Sequence, residues 1–483
     1  MTQAFSPPAL DAPAPAVPGD APAAEEGRNE RRGILDRVAF WIFCAMVALA
    51  PVPEGSVGLL WVTVWTGVAA LVVLCASYGE VRRGSALIIG GSVVVLLAYG
   101  LLAWLQSVSP GPSPLAIWSE ASQLLQKEIA PLSGSVRDAP LLFLGRPLLA
   151  CLVLAAGIVM GSDTRRTKVL SAIIIGAACL YGVIGLVALL LSLVSLRPFD
   201  QQGALTAFFI NRNTTATYLG SAFLIVFAWL QVSFRGEGGE SRATSLLATG
   251  NRATVALAAS GLLLLVLLPL TQSRAGFMLT IGVAAIGFGL RFRSLLRHRT
   301  LIIVGFFALF AFVYVVSGDI WRARQARLGL NSLGRLDVYV AMLQAAMDHP
   351  WLGLGLGSFA ESFQAFRPRD LGQPGLFNIG HSTPIELIFE AGFPLAALVG
   401  LFALVCLAAL VRGTIRRPQD PFILAAFMVA LLGALHSSID FSLQIPGYLI
   451  IYLAIVGMGI GRSFLPERVV VRRKRRSSSG ETA

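Results

Sequence analysis

Apolar runs of membrane-crossing length, separated by short polar stretches, dominate the chain. They fall near 38–53, 57–78, 85–106, 141–160, 169–194, 216–234, 253–272, 275–290, 301–317, 384–411, 421–441 and 446–463. A helix needs about twenty apolar residues to cross the hydrocarbon core, and a lone segment there must satisfy its own backbone hydrogen bonds. The pattern predicts an all-α polytopic membrane protein with about twelve transmembrane helices. The longest polar stretch, 318–383, lies between the ninth and tenth spans, and 107–140 and 195–215 come next.

Within these stretches some local structure is legible. Leu336, Tyr339, Val340, Leu343, Ala346 and Met347 recur at helical spacing, which predicts an amphipathic helix over 335–348 lying on the membrane or on the bundle. His349-Pro350 ends it. The GLGLG run that follows has no strand before it, unlike a nucleotide-binding glycine loop, and reads as a flexible turn at the membrane surface. A short helix is expected at 115–128.

Composition agrees: 55% of residues are apolar, only 13% are charged and mean hydropathy is +0.74. An ordinary soluble domain carries about a quarter charged residues. The formal charge of +12 comes mostly from basic residues at the ends of apolar runs. With both termini cytoplasmic, about two-thirds of the 38 Lys+Arg fall on the inner side, as the positive-inside rule requires. The long polar stretch then becomes a large periplasmic loop. Residues 1–37 read as a disordered cytoplasmic tail and 38–463 as the membrane domain. Residues 464–483 read as a second, basic tail drawn to anionic headgroups. Nucleic acid is not an expected partner. The five cysteines lie inside apolar runs without CxxC spacing, and the outer histidines lack metal-motif spacing, so no disulfide framework, metal site or cofactor is expected.

The candidate chemistry lies on the outer face. Arg212 stands in FFINRNTTATYLG, Arg274 in the very short connection TQSRAGF, Arg335 at the start of the amphipathic helix, and Arg367 with Arg369 in the connector. A guanidinium is always charged and meets phosphate oxygens bidentately, so two or three of them suit a diphosphate. The other reading is that they anchor loops to headgroups or pair with Asp337, Glu361 and Asp370. His381 precedes the tenth span, with Glu386 and Glu390 one helical turn apart beyond it. A histidine oriented by a carboxylate is general-base equipment. The alternative is a helix-start histidine bonded to a loop carbonyl, with Glu390 packing a helix pair. His436 and Asp440 suggest a structural pair closing the bundle.

The stretches RLDVY, DHPWLGLGLGSF, GHSTPIELIFEAGFPL and LHSSIDFSLQIPGY, preceded by NRNTTATYLG and QSRAGF, resemble the O-antigen ligase and polymerase superfamily over roughly 205–460. The resemblance implies a twelve-helix inverting glycosyltransferase of the GT-C type in the bacterial inner membrane. It would work on the periplasmic face without metal or nucleotide sugar. The donor would be an undecaprenyl-diphosphate-linked glycan. The acceptor would be lipid A-core in a ligase, or a carrier-bound repeat unit in a polymerase. Membrane lipids and other envelope polysaccharide assembly proteins are the further partners implied. The family histidine of the large loop matches His381, and the diphosphate-holding arginines match Arg212, Arg274 and Arg335. Family members often carry Asn directly after that histidine, where this chain has Ser382. A protein O-oligosaccharyltransferase is a related alternative. A transporter or flippase, the alternative from another class, needs polar residues at mid-membrane depth, and most spans here are cleanly apolar.

Overall fold

The computed structural model describes residues 21–76, 81–191, 203–233, 252–291, 332–368 and 377–466, with side chains from residue 33 onward and, in the fifth segment, from residue 336. The expected span at 301–317, most of the basic tail, Arg369 and the Arg335 side chain lie outside the described residues. Within them the chain is all helix: an all-α polytopic membrane protein, with eight helices long and apolar enough to cross a membrane and two shorter apolar ones.

In chain order the helices are α1 (Ala21–Leu49), α2 (Leu59–Cys75), α3 (Arg83–Ser107), α4 (Ala116–Leu125), α5 (Ala139–Phe143), α6 (Gly145–Gly161), α7 (Thr164–Leu190), α8 (Arg212–Ser233), α9 (Arg252–Leu270), α10 (Arg274–Arg291), α11 (Ser332–Asp348), α12 (Phe359–Ser362), α13 (Thr383–Arg416), α14 (Pro421–Ser437) and α15 (Pro446–Ser463). Helix α1 begins inside the 1–37 segment expected to be irregular. Several starts are encoded locally. Asp163 and Asp420 accept hydrogen bonds from the first-turn amides of α7 and α14, and Pro421 and Pro446 stand where a missing N–H costs nothing.

Helices α8, α14 and α15 form the centre. About three-quarters of the most apolar window is buried in α8 (72%) and α15 (78%), against 22% in the peripheral α3, α9 and α13. The tightest contact is α15 against α6. Gly157 and Gly161 face the α15 backbone, and Gly457 and Gly461 face that of α6, the small-xxx-small spacing that lets membrane helices approach closely.

The register of α8 and α10 fixes where their arginines lie. Gly276 faces Ala216, and Thr280 faces Gly220, four residues further along both helices. The two helices therefore run side by side in the same direction, with Arg212 and Arg274 at the same end. That end also holds the start of α13 and the turn between α14 and α15.

Candidate functional site

The turn from Asp440 to Ser442 draws this end together. Asp440 is buried, and its carboxylate accepts from Asn213 Nδ2 at 2.6 Å, Asn211 Nδ2 at 3.3 Å, the Phe441 amide at 2.7 Å and Ser442 Oγ at 3.3 Å. Asn211 and Asn213 flank Arg212, so the bonds fix the backbone that carries its guanidinium. Thr383 Oγ1 donates to the Asp440 carbonyl, and the His381 ring meets Phe441 edge-on at 5.4 Å. Behind the turn, His436 Nδ1 bonds Thr217 Oγ1 at 2.6 Å and Ser442 Oγ at 3.3 Å. Ser442 thus bridges His436 and Asp440, which were expected to close the bundle as a structural pair.

His381 sits in the left-handed backbone region, with φ 57°, and its carbonyl accepts from Tyr339 of α11 at 2.8 Å. A non-glycine residue in that region is uncommon, and where the surroundings enforce it the position is often functional. The enforcement comes from both sides. Tyr339 holds the carbonyl, and the Glu386 carboxylate accepts from the Gly380 amide at 2.8 Å.

Six residues beyond Glu386, α13 is broken. Gly392 has φ 74° and ψ 172°, and Pro394 has no N–H. The freed carbonyls of Phe389 and Glu390 accept from Leu354 and Gly355, while the Phe393 amide donates to Pro350. The glycine run therefore docks on the broken helix, with Leu354 and Leu356 buried. This corrects the expectation of a flexible surface turn: a peptide that replaces missing rungs of a helix cannot stay loose. The buried Gln106 at the end of α3 fastens the joint. It donates to the Leu352 and Glu390 carbonyls and accepts from the Leu356 amide. The Glu390 carboxylate accepts from the Phe359 amide at 2.9 Å.

A cavity of about 810 Å³ opens beside these groups. Its polar part is lined by Arg146, Asn378, Glu386, Glu390 and Gln444, and its apolar part runs between Leu96, Leu154, Leu407 and Val456 of α3, α6, α13 and α15. Its lining also includes Ile210, Thr383 and Phe441, which adjoin Arg212 and His381.

Residues 259–400 match the family model described as O-antigen ligase. That segment is similar to the O-antigen ligase and polymerase superfamily. No curated protein matches it. The matched segment of this O-antigen ligase relative holds Arg274, Arg335, His381, Glu386, Glu390, the glycine run and the break at Gly392. Arg146, Arg212 and Asp440 lie outside it.

Among the residues singled out from sequence, the bundle brings Arg212, Arg274 and His381 to one end. Glu386 accepts from the Gly380 amide and also bonds the Gln444 side chain, and Glu390 accepts from the amides of Gly357 and Phe359, so each carboxyl group shapes a loop. Arg274 is the first residue of α10, beyond a connection whose Ser273 hydroxyl accepts from the Gly276 amide. Arg367 lies over the Phe377 ring at 5.0 Å. Helix α11 forms as expected, but its buried face is Val338, Ala341, Met342, Ala345 and Ala346, while Leu336, Val340 and Met347 are exposed. The site also includes residues with no strong sequence signal, chiefly Arg146 and Gln106.

Proposed function

We propose that the protein transfers a glycan from an undecaprenyl-diphosphate carrier to an acceptor sugar, ligase-like with lipid A-core as acceptor. The observation that carries this reading is the cavity. Its lining joins residues beside Arg212 and His381, a polar set with Arg146, Glu386 and Glu390, and apolar side chains of membrane-spanning helices. A polyprenyl chain with a charged head and a sugar needs that combination of surfaces. On this reading residues 38–463 form the transferase domain, the site end faces the periplasm, and both termini are cytoplasmic in the inner membrane.

The reaction is a substitution with inversion at the anomeric carbon. The acceptor hydroxyl attacks, the bond from that carbon to the diphosphate oxygen breaks, and undecaprenyl diphosphate leaves. His381 accepts the hydroxyl proton. Glu386, through Gly380, and Tyr339, through the His381 carbonyl, hold the ring in position. Arg212 and Arg274, with Arg335, meet the negative charge that develops on the leaving diphosphate.

The test is transfer by purified protein, with EDTA and without nucleotide, from a polyprenyl-diphosphate-linked glycan to lipid A-core. Glycosylated lipid A-core from wild type and none from His381→Ala is the expected result. Longer chains on the carrier would make the protein a polymerase. No transfer of either kind would overturn the reading.

A further inference from the structure

Arg146, in the first turn of α6, has no role in the chemistry above, yet it stands in the cavity wall. Its guanidinium lies over the Phe143 ring at 5.6 Å, and its charge is felt by both Glu386 and Glu390. Among the described residues, no hydrogen bond or ion pair reaches it. An arginine within a membrane-spanning bundle is costly and marks a site when it lines a cavity.

The groups in the lining decide what the site would take. Arg146 offers a guanidinium, which only donates, and Glu386 and Glu390 offer carboxyl oxygens, which accept. Among the described residues, no ion pair joins Arg146 to either of them. A phosphate would engage Arg146 alone, whereas a sugar hydroxyl accepts from the guanidinium and donates to a carboxyl oxygen. Tyr99, Phe143 and Phe359 line the same space and offer apolar faces to the C–H side of a sugar ring.

We propose that Arg146, Glu386 and Glu390 form a sugar-hydroxyl subsite that recognises the carrier-linked glycan beside the reacting centre. This rests on the transferase reading and adds a specificity site to it. The subsite is separate from the Arg212 and Arg274 cluster, which serves the diphosphate. Held there, the sugar shares the cavity with Thr383 and Phe441, which adjoin His381.

The test measures binding to the full-length protein in nanodiscs with two probes, bare undecaprenyl diphosphate and the same carrier bearing the host's envelope glycan. Wild type is expected to prefer the glycan-bearing probe. Arg146→Ala is expected to lose about tenfold of that preference, the scale of one charged hydrogen-bonding partner, with bare-carrier binding unchanged. Arg146→Lys, which keeps the charge but not the fork, is expected to lie between, and a thermal melt of both variants verifies folding. Equal loss for both probes in Arg146→Ala would overturn the proposal in favour of a phosphate subsite. Unchanged binding in folded Arg146→Ala, or no preference in wild type, would also overturn it. Failure of wild type to bind either probe would sink the transferase reading itself.

Discussion

Asn213 donates to the Asp440 carboxylate at 2.6 Å, and that bond fastens the start of α8 to the turn on which the His381 ring rests. The two residues flank different parts of the proposed chemistry. Asn213 follows Arg212, and Asp440 precedes the phenylalanine against the imidazole. Asp440→Ala removes the acceptor for Asn211, Asn213 and Ser442 at once. Each buried donor left without a partner costs about 1–3 kcal/mol. Transfer is expected to be lost, with a lowered melting temperature. Asn213→Ala leaves Asn211 on the carboxylate and is expected to cost about 1 kcal/mol of stability. A larger fall in transfer rate than that stability loss explains would show that the bond positions Arg212. Thermal melts with the acceptor assay separate the two effects.

Gln106 holds the joint between the glycine run and broken α13 through three hydrogen bonds, and it is fully buried. Gln106→Leu keeps much of the volume but strands one amide and removes a donor from two carbonyls. The expected loss is about 2–4 kcal/mol, from a penalty of about 1–3 kcal/mol per buried unsatisfied group. Faster proteolysis within 349–358, with the rest of the bundle intact, is the expected signature. Wild-type protection in Gln106→Leu would show that the glycine run is held without it.

Gly392 makes the break in α13, and a Cβ there would lie 2.7 Å from the Pro350 carbonyl oxygen, at a positive φ that side chains rarely adopt. Gly392→Ala therefore meets both backbone strain, about 1–3 kcal/mol, and a collision with a docked loop. Gly400 has open space at its Cβ position in the same helix. Gly400→Ala is expected to be neutral or slightly stabilising, since alanine favours helix. A thermal melt in which both variants match wild type would show that the break is not required.

The extent to which sequence disclosed these features follows from the range over which each is encoded. The spans were legible as apolar runs because solvation by lipid acts on each segment alone. The start of α13 was legible in GHSTPIE. The cluster around Asp440 was not, beyond its family likeness: Asn211 and Asp440 are 229 residues apart. The GxxxG pairs of α6 and α15 stand openly in the sequence, but nothing local says which two helices they join. Helix α11 was legible from its spacing, but both of its sides are apolar, so hydrophobicity alone does not say which side packs on the bundle. Arg146 has no local signal that sets it apart; the cavity beside it does.

At the opposite end of the bundle, Arg462 and Asp420 form a buried pair. Arg462 Nη2 lies 2.6 Å from Asp420 Oδ2 and Nε donates to the same oxygen at 2.8 Å, while Nη1 donates to Thr164. The pair joins α15 to the start of α14, and Thr164 adds α7. Removing one partner leaves the other charged and buried, which costs about 3–5 kcal/mol. Asp420→Ala also removes the cap that accepts from the Phe422 amide, at about 1 kcal/mol. It is therefore expected to be the more damaging single change. Replacing both, as Arg462→Met with Asp420→Asn, keeps an N-cap and leaves no unpaired charge. The double variant is expected to recover most of the stability lost by Arg462→Met alone. Additive losses in melts of the two single variants and the double would show that the charges do not interact, and that capping and packing hold this end together.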